Sequence, residues 1–264
     1  MKKPDYKNWV PKSMVVGLGA ASAASAGLSV LFCSTNVLKG RPRQIAAAAF
    51  GLATPVLLFY TGWMGALHRT FDYNGKRKLA KTIIEGTAKF VTLPEGGTGL
   101  DVGCGSGALT IACAKRNPRA QMLGCDIWSG AYKAVFTKQR CEENAKAEGV
   151  GNVRFTEGNA IHLPFADESF DAVTSTYVYH NIAGQNKQKL LLETLRVLKK
   201  GGTFAIHDLM SKGRYGDMDA FVKKLKAQGY EDVRLIDTTD GRFMERKEAG
   251  LLGLGGSTLL VGRK

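Results

Sequence analysis

The stretch Thr98-Gly-Leu-Asp-Val-Gly-Cys-Gly-Ser-Gly107 joins a short apolar run to three glycines at alternate positions, 103, 105 and 107. That pattern describes a β-strand entering a nucleotide-binding turn. Glycine adopts backbone angles closed to other residues and leaves room for a ligand to lie against the main chain. A helix expected from about Ala108 would point its unpaired N–H groups at the same place. The spacing is GxGxG rather than the GxGxxG of dinucleotide binders, so the turn alone is a weak signal.

Downstream, short apolar runs alternate with helical patterns. Strands are expected near 98–103, 120–126, 152–157, 170–176, 202–208, 232–238 and 257–262. Helices are expected near 107–116, 130–148, 186–199 and 215–229, after a helical pattern over Gly75–Val91. This alternation predicts an α/β fold, a doubly wound and mostly parallel seven-stranded sheet covered on both faces. No helical pattern separates the last two runs, so they should form an antiparallel hairpin.

Two apolar stretches come first. No charged residue lies between Lys12 and Lys39, and Met14–Phe32 is almost entirely Val, Leu, Gly, Ala and Ser. None lies between Arg43 and His68. Ile45–Leu67 would run about 34 Å as a helix, enough to cross a hydrocarbon layer about 30 Å thick. Transmembrane helices over about 14–33 and 45–67, joined by Lys39-Gly-Arg-Pro-Arg43, should form a hairpin within residues 1–70, with the α/β domain over 71–264. Trp9, Tyr60 and Trp63 stand where interfacial aromatics belong. Small residues four apart (Gly17/Ala21, Ala20/Ala24, Ala23/Gly27, Ala47/Gly51) suit close helix packing. Lys2, Lys3, Lys7 and Lys12 precede the hairpin and Arg69, Lys76, Arg77, Lys78 and Lys81 follow it, against three basic residues in the linker. The positive-inside rule therefore places a multi-pass cell-membrane protein with both termini and the α/β domain in the cytoplasm. A cleaved signal peptide, with Ala-Ser-Ala triplets at 21–26, would leave the second stretch unexplained. An apolar hairpin buried in a soluble oligomer is the other alternative.

A net charge of +14 raises nucleic acid as a partner. Residues 1–95 carry thirteen Lys/Arg against four acids, and 96–264 carry twenty-four against nineteen. The excess thus surrounds the apolar stretches and forms no basic stripe interleaved with aromatics, so no nucleic-acid partner is expected. The five cysteines (33, 104, 113, 125, 141) have no CxxC pair and no histidine at ligand spacing, and read as reduced, buried thiols without a metal.

Two acids place the ligand further. Asp101 lies in the first strand, and Asp126 ends the second in Leu-Gly-Cys-Asp-Ile, where a carboxylate can accept both hydroxyls of a ribose. Its alternative role is a helix N-cap for the segment near 130. These motifs, followed by Glu157-Gly-Asn-Ala-Ile-His-Leu-Pro-Phe-Ala-Asp-Glu-Ser-Phe-Asp-Ala-Val173 and Leu195-Arg-Val-Leu-Lys-Lys-Gly-Gly-Thr-Phe204, resemble the class I S-adenosylmethionine-dependent methyltransferases. Similarity is greatest to the branch with the ubiquinone/menaquinone C-methyltransferases and many small-molecule enzymes, and covers roughly 96–210. It implies S-adenosylmethionine as cofactor. Asp101 and glycines 103, 105 and 107, with Cys104 among them, would surround the methionine portion, and Asp126 would hold the ribose. Ile127 would pack on the adenine, edged by Asn159 and Ala160. Relatives mostly carry an acid at the Asn159 position, although an amide carbonyl can still accept from the adenine amino group. Thr176 and Tyr177 would line the sulfonium and methyl. Tyr73 would close over the cofactor or simply pack.

Methyl transfer needs a base only when the acceptor arrives protonated. Tyr177, Tyr179, His180 and His207 are the candidates, the first three because they follow the fourth strand. His180 equally suits a structural hydrogen bond, and Asp208 after His207 suits either the site or a helix cap. Phe221, Leu225, Phe243 and Met244 read as acceptor-pocket lining or as core. The leading function is a membrane-anchored methyltransferase acting on a lipophilic acceptor: a quinone, lipid or small molecule. A soluble thiol, amine or phenol is the alternative acceptor. A nicotinamide-dependent oxidoreductase and a non-catalytic cofactor-binding scaffold are the rival functions; the oligomeric state is left open.

Overall fold

A computed structural model describes residues 3–129 and 135–264. It divides into two compact units: the segment ending at Lys7 together with Lys81–Lys264, and the helical unit Asn8–Ala80.

The larger unit is built on seven strands: β1 (Thr98–Val102), β2 (Gln121–Asp126), β3 (Val153–Glu157), β4 (Phe170–Thr176), β5 (Leu198–Leu209), β6 (Glu231–Asp237) and β7 (Ser257–Arg263). Their order is β3-β2-β1-β4-β5-β7-β6. β1 pairs in parallel with β2 on one side and β4 on the other, so successive connections run in opposite directions from it. At such a switch point the carboxyl ends of the strands open a crevice, and the glycine turn leaves β1 into it. β7 runs antiparallel between β5 and β6. The central strands are apolar on both faces: Leu100 and Val102 of β1, Val173 of β4, and Phe204 and Ile206 of β5 are buried in one core with Leu163, Leu191, Leu195 and Leu225. Burial of both faces is what keeps a parallel sheet out of water.

The helices expected from the sequence form, with three differences. In chain order, after α1 and α2 of the hairpin, they are α3 (Leu79–Ala88), α4 (Ala108–Arg116), α5 (Lys138–Ala147), α6 (Lys187–Arg196), α7 (Lys212–Tyr215), α8 (Met218–Ala227) and α9 (Arg246–Leu251). The helix expected over 130–148 begins only at Lys138, because Thr137 caps it by accepting from Arg140 N at 3.2 Å; positions 130–134 lie outside the described residues. The helix expected over 215–229 is two pieces, broken at Gly216 (φ 74°) and restarted by Asp217, which accepts from Ala220 N. The last two strands do pair antiparallel, yet the short α9 lies between them, too brief for a periodic pattern to reveal.

In the helical unit, α1 (Lys12–Ser34) and α2 (Gly40–Phe71) form an antiparallel hairpin. At 23 and 32 residues, they run about 35 and 48 Å at about 1.5 Å per residue. Both are long and apolar enough to cross a membrane. The seam between them is polar: Ser25 Oγ donates to Phe50 O, Ser29 Oγ to Ala47 O, and Ser22 and Thr61 share a hydrogen bond of 3.2 Å. Arg43 reaches back to Phe32 O, and Asn8 donates to His68 O at the open end. Of the small residues singled out, Gly51 does meet the facing helix, at Ser29, whereas Gly17 and Gly27 have nothing within 4 Å and face outward. The serines took the seam because a buried hydroxyl needs a backbone carbonyl. Outside the seam the apolar side chains are bare, Leu52 being 74% and Phe59 68% exposed. Cys33 is exposed at the end of α1, contrary to the expectation that all five thiols are buried; the other four are.

Candidate active site

The turn after β1 is held from below. Gly103 N and Cys104 N both donate to Cys125 O of β2, and Gly107 N closes back on Cys104 O. Gly103 has φ 73°, and a Cβ there would lie 2.4 Å from Val178. Gly105 has φ 56°, but a Cβ there would meet nothing closer than 3.9 Å, so its outer side is open. Asp101 is buried beneath this turn and accepts from Thr110 Oγ1 at 2.6 Å. Burial pushes its carboxyl up to about 7, against the opposing hydrogen bonds from Thr110. It therefore pins α4 to β1 and presents no open face to a ligand, unlike the contact expected for it with the methionine portion.

On the β2 side, Asp126 accepts from Gly105 N at 2.9 Å and from Trp128 N at 2.8 Å. Its carboxylate thus borders the open side of the turn and caps no helix among the described residues. Ile127 follows it, 46% exposed, an apolar side chain standing in water at a strand end. Across from it lies the loop after β3. Asn159 Oδ1 accepts from Ile161 N, which leaves one lone pair for another donor, and Ala160 is buried beside it. Arg196 on α6 sets this loop: it donates to Leu163 O, Phe165 O, Asp167 and both oxygens of Glu193, and Glu193 in turn accepts from Leu163 N.

Past β4 the chain makes a tight exit. Tyr177 takes φ 55°, and residues Tyr179–Asn181 form one turn of 3₁₀ helix. The half-turn separates neighbours. Tyr179 is swallowed by the core, its hydroxyl on Thr194 Oγ1 at 2.6 Å. His180 stays partly exposed, with Nδ1 2.5 Å from Asp208 Oδ1. Asp208 is wholly buried at the end of β5 and also accepts from Tyr179 N, His180 N and Leu209 N. Burial alone would raise its carboxyl, but His180 and the backbone donors outweigh that and hold it below the usual carboxylate range. It does not cap the next helix, α7, whose N-cap position Ser211 holds; its bonds from Tyr179 N and His180 N instead secure the start of the 3₁₀ turn.

His207 lies under Tyr177, ring to ring at 5.0 Å, fully buried, with Nε2 on Thr238 Oγ1 at 2.9 Å. Burial pushes it down to about 3, so it is neutral. Tyr177 OH meets Ser257 Oγ at 2.5 Å, and burial pushes the phenol well up. Of the four residues considered as bases, Tyr179 and His207 are thus interior, Tyr177 is a poor proton acceptor, and His180 alone is presented at the crevice. Phe221 and Leu225 are core, as are Met244 and Phe243, whose ring covers His207 and fills the space left by Gly86. Tyr73 belongs to the helical unit, in the turn after α2, and is placed by that unit rather than by the sheet.

Residues 100–206 match the family model described as "Methyltransferase domain". A demethylmenaquinone methyltransferase from Geobacillus kaustophilus is 29% identical over 175 residues, covering 62% of this chain and 71% of the relative. The chain carries a class I S-adenosylmethionine-dependent methyltransferase domain. An arsenite methyltransferase from Halobacterium salinarum is 34% identical over 129 residues, 48% of this methyltransferase and 31% of that protein. The crystal structure of the [4+2]-cyclase SpnF superposes with a TM-score of 0.53 at 20% identity, covering 73% of this chain and 85% of that one, which speaks for the fold alone.

The methyltransferase's crevice suits S-adenosylmethionine in three respects. The outer side of Gly105 is open, the Asp126 carboxylate borders it, and Thr176 Oγ1 at the end of β4 is buried with no partner of its own. Arg196 was not among the candidates from sequence, although its place in Leu195-Arg-Val-Leu was the available clue. Arg196→Ala leaves two loop carbonyls and Glu193 without their donor, and a loss of about 5–10 °C in Tm is expected in a calorimetric scan. Arg196→Lys should recover little, because an ammonium cannot reproduce the fork. A shift under 2 °C would mean that the loop holds without the clamp.

Proposed function

We propose that this methyltransferase transfers a methyl group to a lipophilic, hydroxyl-bearing aromatic acceptor at the cytoplasmic face of a membrane, where the helical hairpin anchors it. The observation that carries the reading is the bare apolar surface of α1 and α2, from Met14 to Tyr60, which water would penalise and hydrocarbon would accept. The basic residues flanking both ends of the hairpin suit a cytoplasmic location of the domain and both termini. The Geobacillus relative is named for demethylmenaquinone, a quinone, and the reduced, hydroxyl-bearing form of such a ring is the acceptor class read here.

In this reading Asp126 binds the ribose hydroxyls, Ile127 and Ala160 flank the adenine, and Asn159 meets its amino group. Gly103, Cys104, Gly105 and Gly107 shape the wall beside the methionine portion while Asp101 holds that wall from within. Thr176 and Tyr177 line the transfer site. Bound there, S-adenosylmethionine supplies a carbon activated by its sulfonium. The protein's tasks are alignment, exclusion of water and removal of the acceptor proton. His180 is the base: its Nδ1–H donates to ionised Asp208, which leaves the Nε2 lone pair for the acceptor hydroxyl.

The test is a reconstitution of full-length protein in phospholipid vesicles with labelled S-adenosylmethionine and a prenylated naphthoquinol. The protein should float with the vesicles and the label should enter the organic phase at least tenfold faster than it enters soluble thiols, amines or phenols. Equal rates on the soluble acceptors would overturn the lipophilic reading, and failure to float would overturn the anchor.

A further inference from the structure

The five residues Lys3-Pro-Asp-Tyr-Lys7 look like a polar leader to the first apolar helix, yet they fold as part of the methyltransferase unit. Their backbone is read by two buried side chains. The amide of Asn144 on α5, 2% exposed, accepts from Asp5 N at 2.7 Å, donates to Asp5 O at 3.1 Å and donates again to Ser106 O at 3.0 Å. Ser106, between Gly105 and Gly107 in the cofactor turn, donates its hydroxyl to Tyr6 O at 2.7 Å. Tyr6 is itself buried and its OH donates to Glu148 at 3.0 Å; Asp5 pairs with Arg140 at 2.9 Å. α5 touches the same turn a second time, through Cys141 Sγ on Gly105 O.

Strap, turn and α5 therefore share one polar network. If the strap leaves, the Ser106 hydroxyl loses its acceptor and the Asn144 amide two of its three partners, all in a dry setting where an unmade bond is unfavourable. Of the side-chain bonds described at Ser106, the one from Asn144 to its carbonyl would remain. Ser106 is flanked by two glycines at positive φ, residues with the widest choice of backbone angles, so a released turn would sample many conformations. A cofactor that binds one arrangement of Gly105 must then oppose that entropy.

We infer that residues 3–7 are a positioning strap for the cofactor site, and that strap docking and S-adenosylmethionine binding favour each other. Asp5 and Tyr6 act through Ser106 and Asn144 rather than by touching the ligand. The inference depends on the cofactor and is independent of which acceptor the enzyme uses.

Reciprocity supplies a test that a merely stabilising strap would not pass. In full-length protein in detergent, trypsin cleavage after Lys7 is followed by mass spectrometry against cleavage at other lysines. Saturating S-adenosylhomocysteine should slow that cut about tenfold relative to the rest. In parallel, Asn144→Ala, which removes both bonds to the Asp5 backbone and the one to Ser106 O, should weaken S-adenosylhomocysteine by about five- to twentyfold in calorimetric titration. Tyr6→Phe, which keeps the backbone bonds, should stay within threefold. Cleavage after Lys7 that ignores the ligand, or Asn144→Ala affinity within twofold of the parent, would overturn the coupling. An acceptor assay that fails while these two results stand would count against the proposed acceptor only.

Discussion

His180→Gln is expected to lower kcat on a prenylated naphthoquinol by about 10²–10³-fold, with S-adenosylhomocysteine affinity unchanged within threefold. Asp208 is sealed at the end of β5 and already accepts three backbone N–H groups, so it stays ionised and has one oxygen aimed at His180 Nδ1, 2.5 Å away. A carboxylate can only accept, so Nδ1 carries the hydrogen and Nε2 the lone pair. Asp208→Asn should therefore be nearly as damaging as His180→Gln although it changes no exposed group. An amide in that place can donate to Nδ1, which shifts the hydrogen to Nε2 and removes the base. If His180→Gln keeps kcat within threefold of the parent, the acceptor loses its proton elsewhere.

Why the histidine and not its neighbour is presented at the crevice could not be read from Tyr177-Val-Tyr-His180. Four residues after a strand are equivalent until the backbone turn is known. Here the left-handed Tyr177 and the 3₁₀ turn rotate Tyr179 into the core and His180 out of it. The opposite holds for Thr98–Gly107 and Asp126, whose chemistry is local: a glycine turn after a strand and a carboxylate at the next strand end need only their own sequence and the sheet order. The sheet itself was legible because its central strands are apolar on both faces. Contacts made at long range were not. Arg196 meets a loop about thirty residues away, and Asp5 meets Asn144 across 139 residues. Such pairs carry no periodicity, since the partners are chosen by packing. Hairpin packing failed in detail for a related reason. Gly17 and Gly27 offered the close-approach pattern, but the hydroxyls of Ser22, Ser25 and Ser29 had carbonyl or hydroxyl partners to satisfy, and they decided which face turned inward.

The second large effect concerns the cofactor. Asp126→Asn should weaken S-adenosylhomocysteine at least about 100-fold in calorimetric titration, with the thermal melt of the ligand-free protein lowered by only a few degrees. Asp126 faces two donors from the chain, Gly105 N and Trp128 N, one on each oxygen. In the proposed complex it faces two more from the ribose. A carboxylate satisfies all four with lone pairs, and hydrogen bonds to a charged group are worth about 1.5–3 kcal/mol each. Asparagine keeps the shape but turns one oxygen into an NH₂, which must point a donor at the N–H of Gly105 or of Trp128. Either that clash displaces the turn or the amide swings away, and in both cases one ribose hydroxyl loses its acceptor. The lost ribose acceptor and the disturbed turn together amount to about 3 kcal/mol, a little more than the 100-fold in question. Asp126→Glu separates charge from position: it keeps both acceptors but moves them about 1.5 Å outward, one methylene's length, and should recover at most a tenth of the affinity. If Asp126→Asn binds within threefold of the parent, the ribose lies elsewhere. The open side of Gly105 would then have to be explained by another ligand.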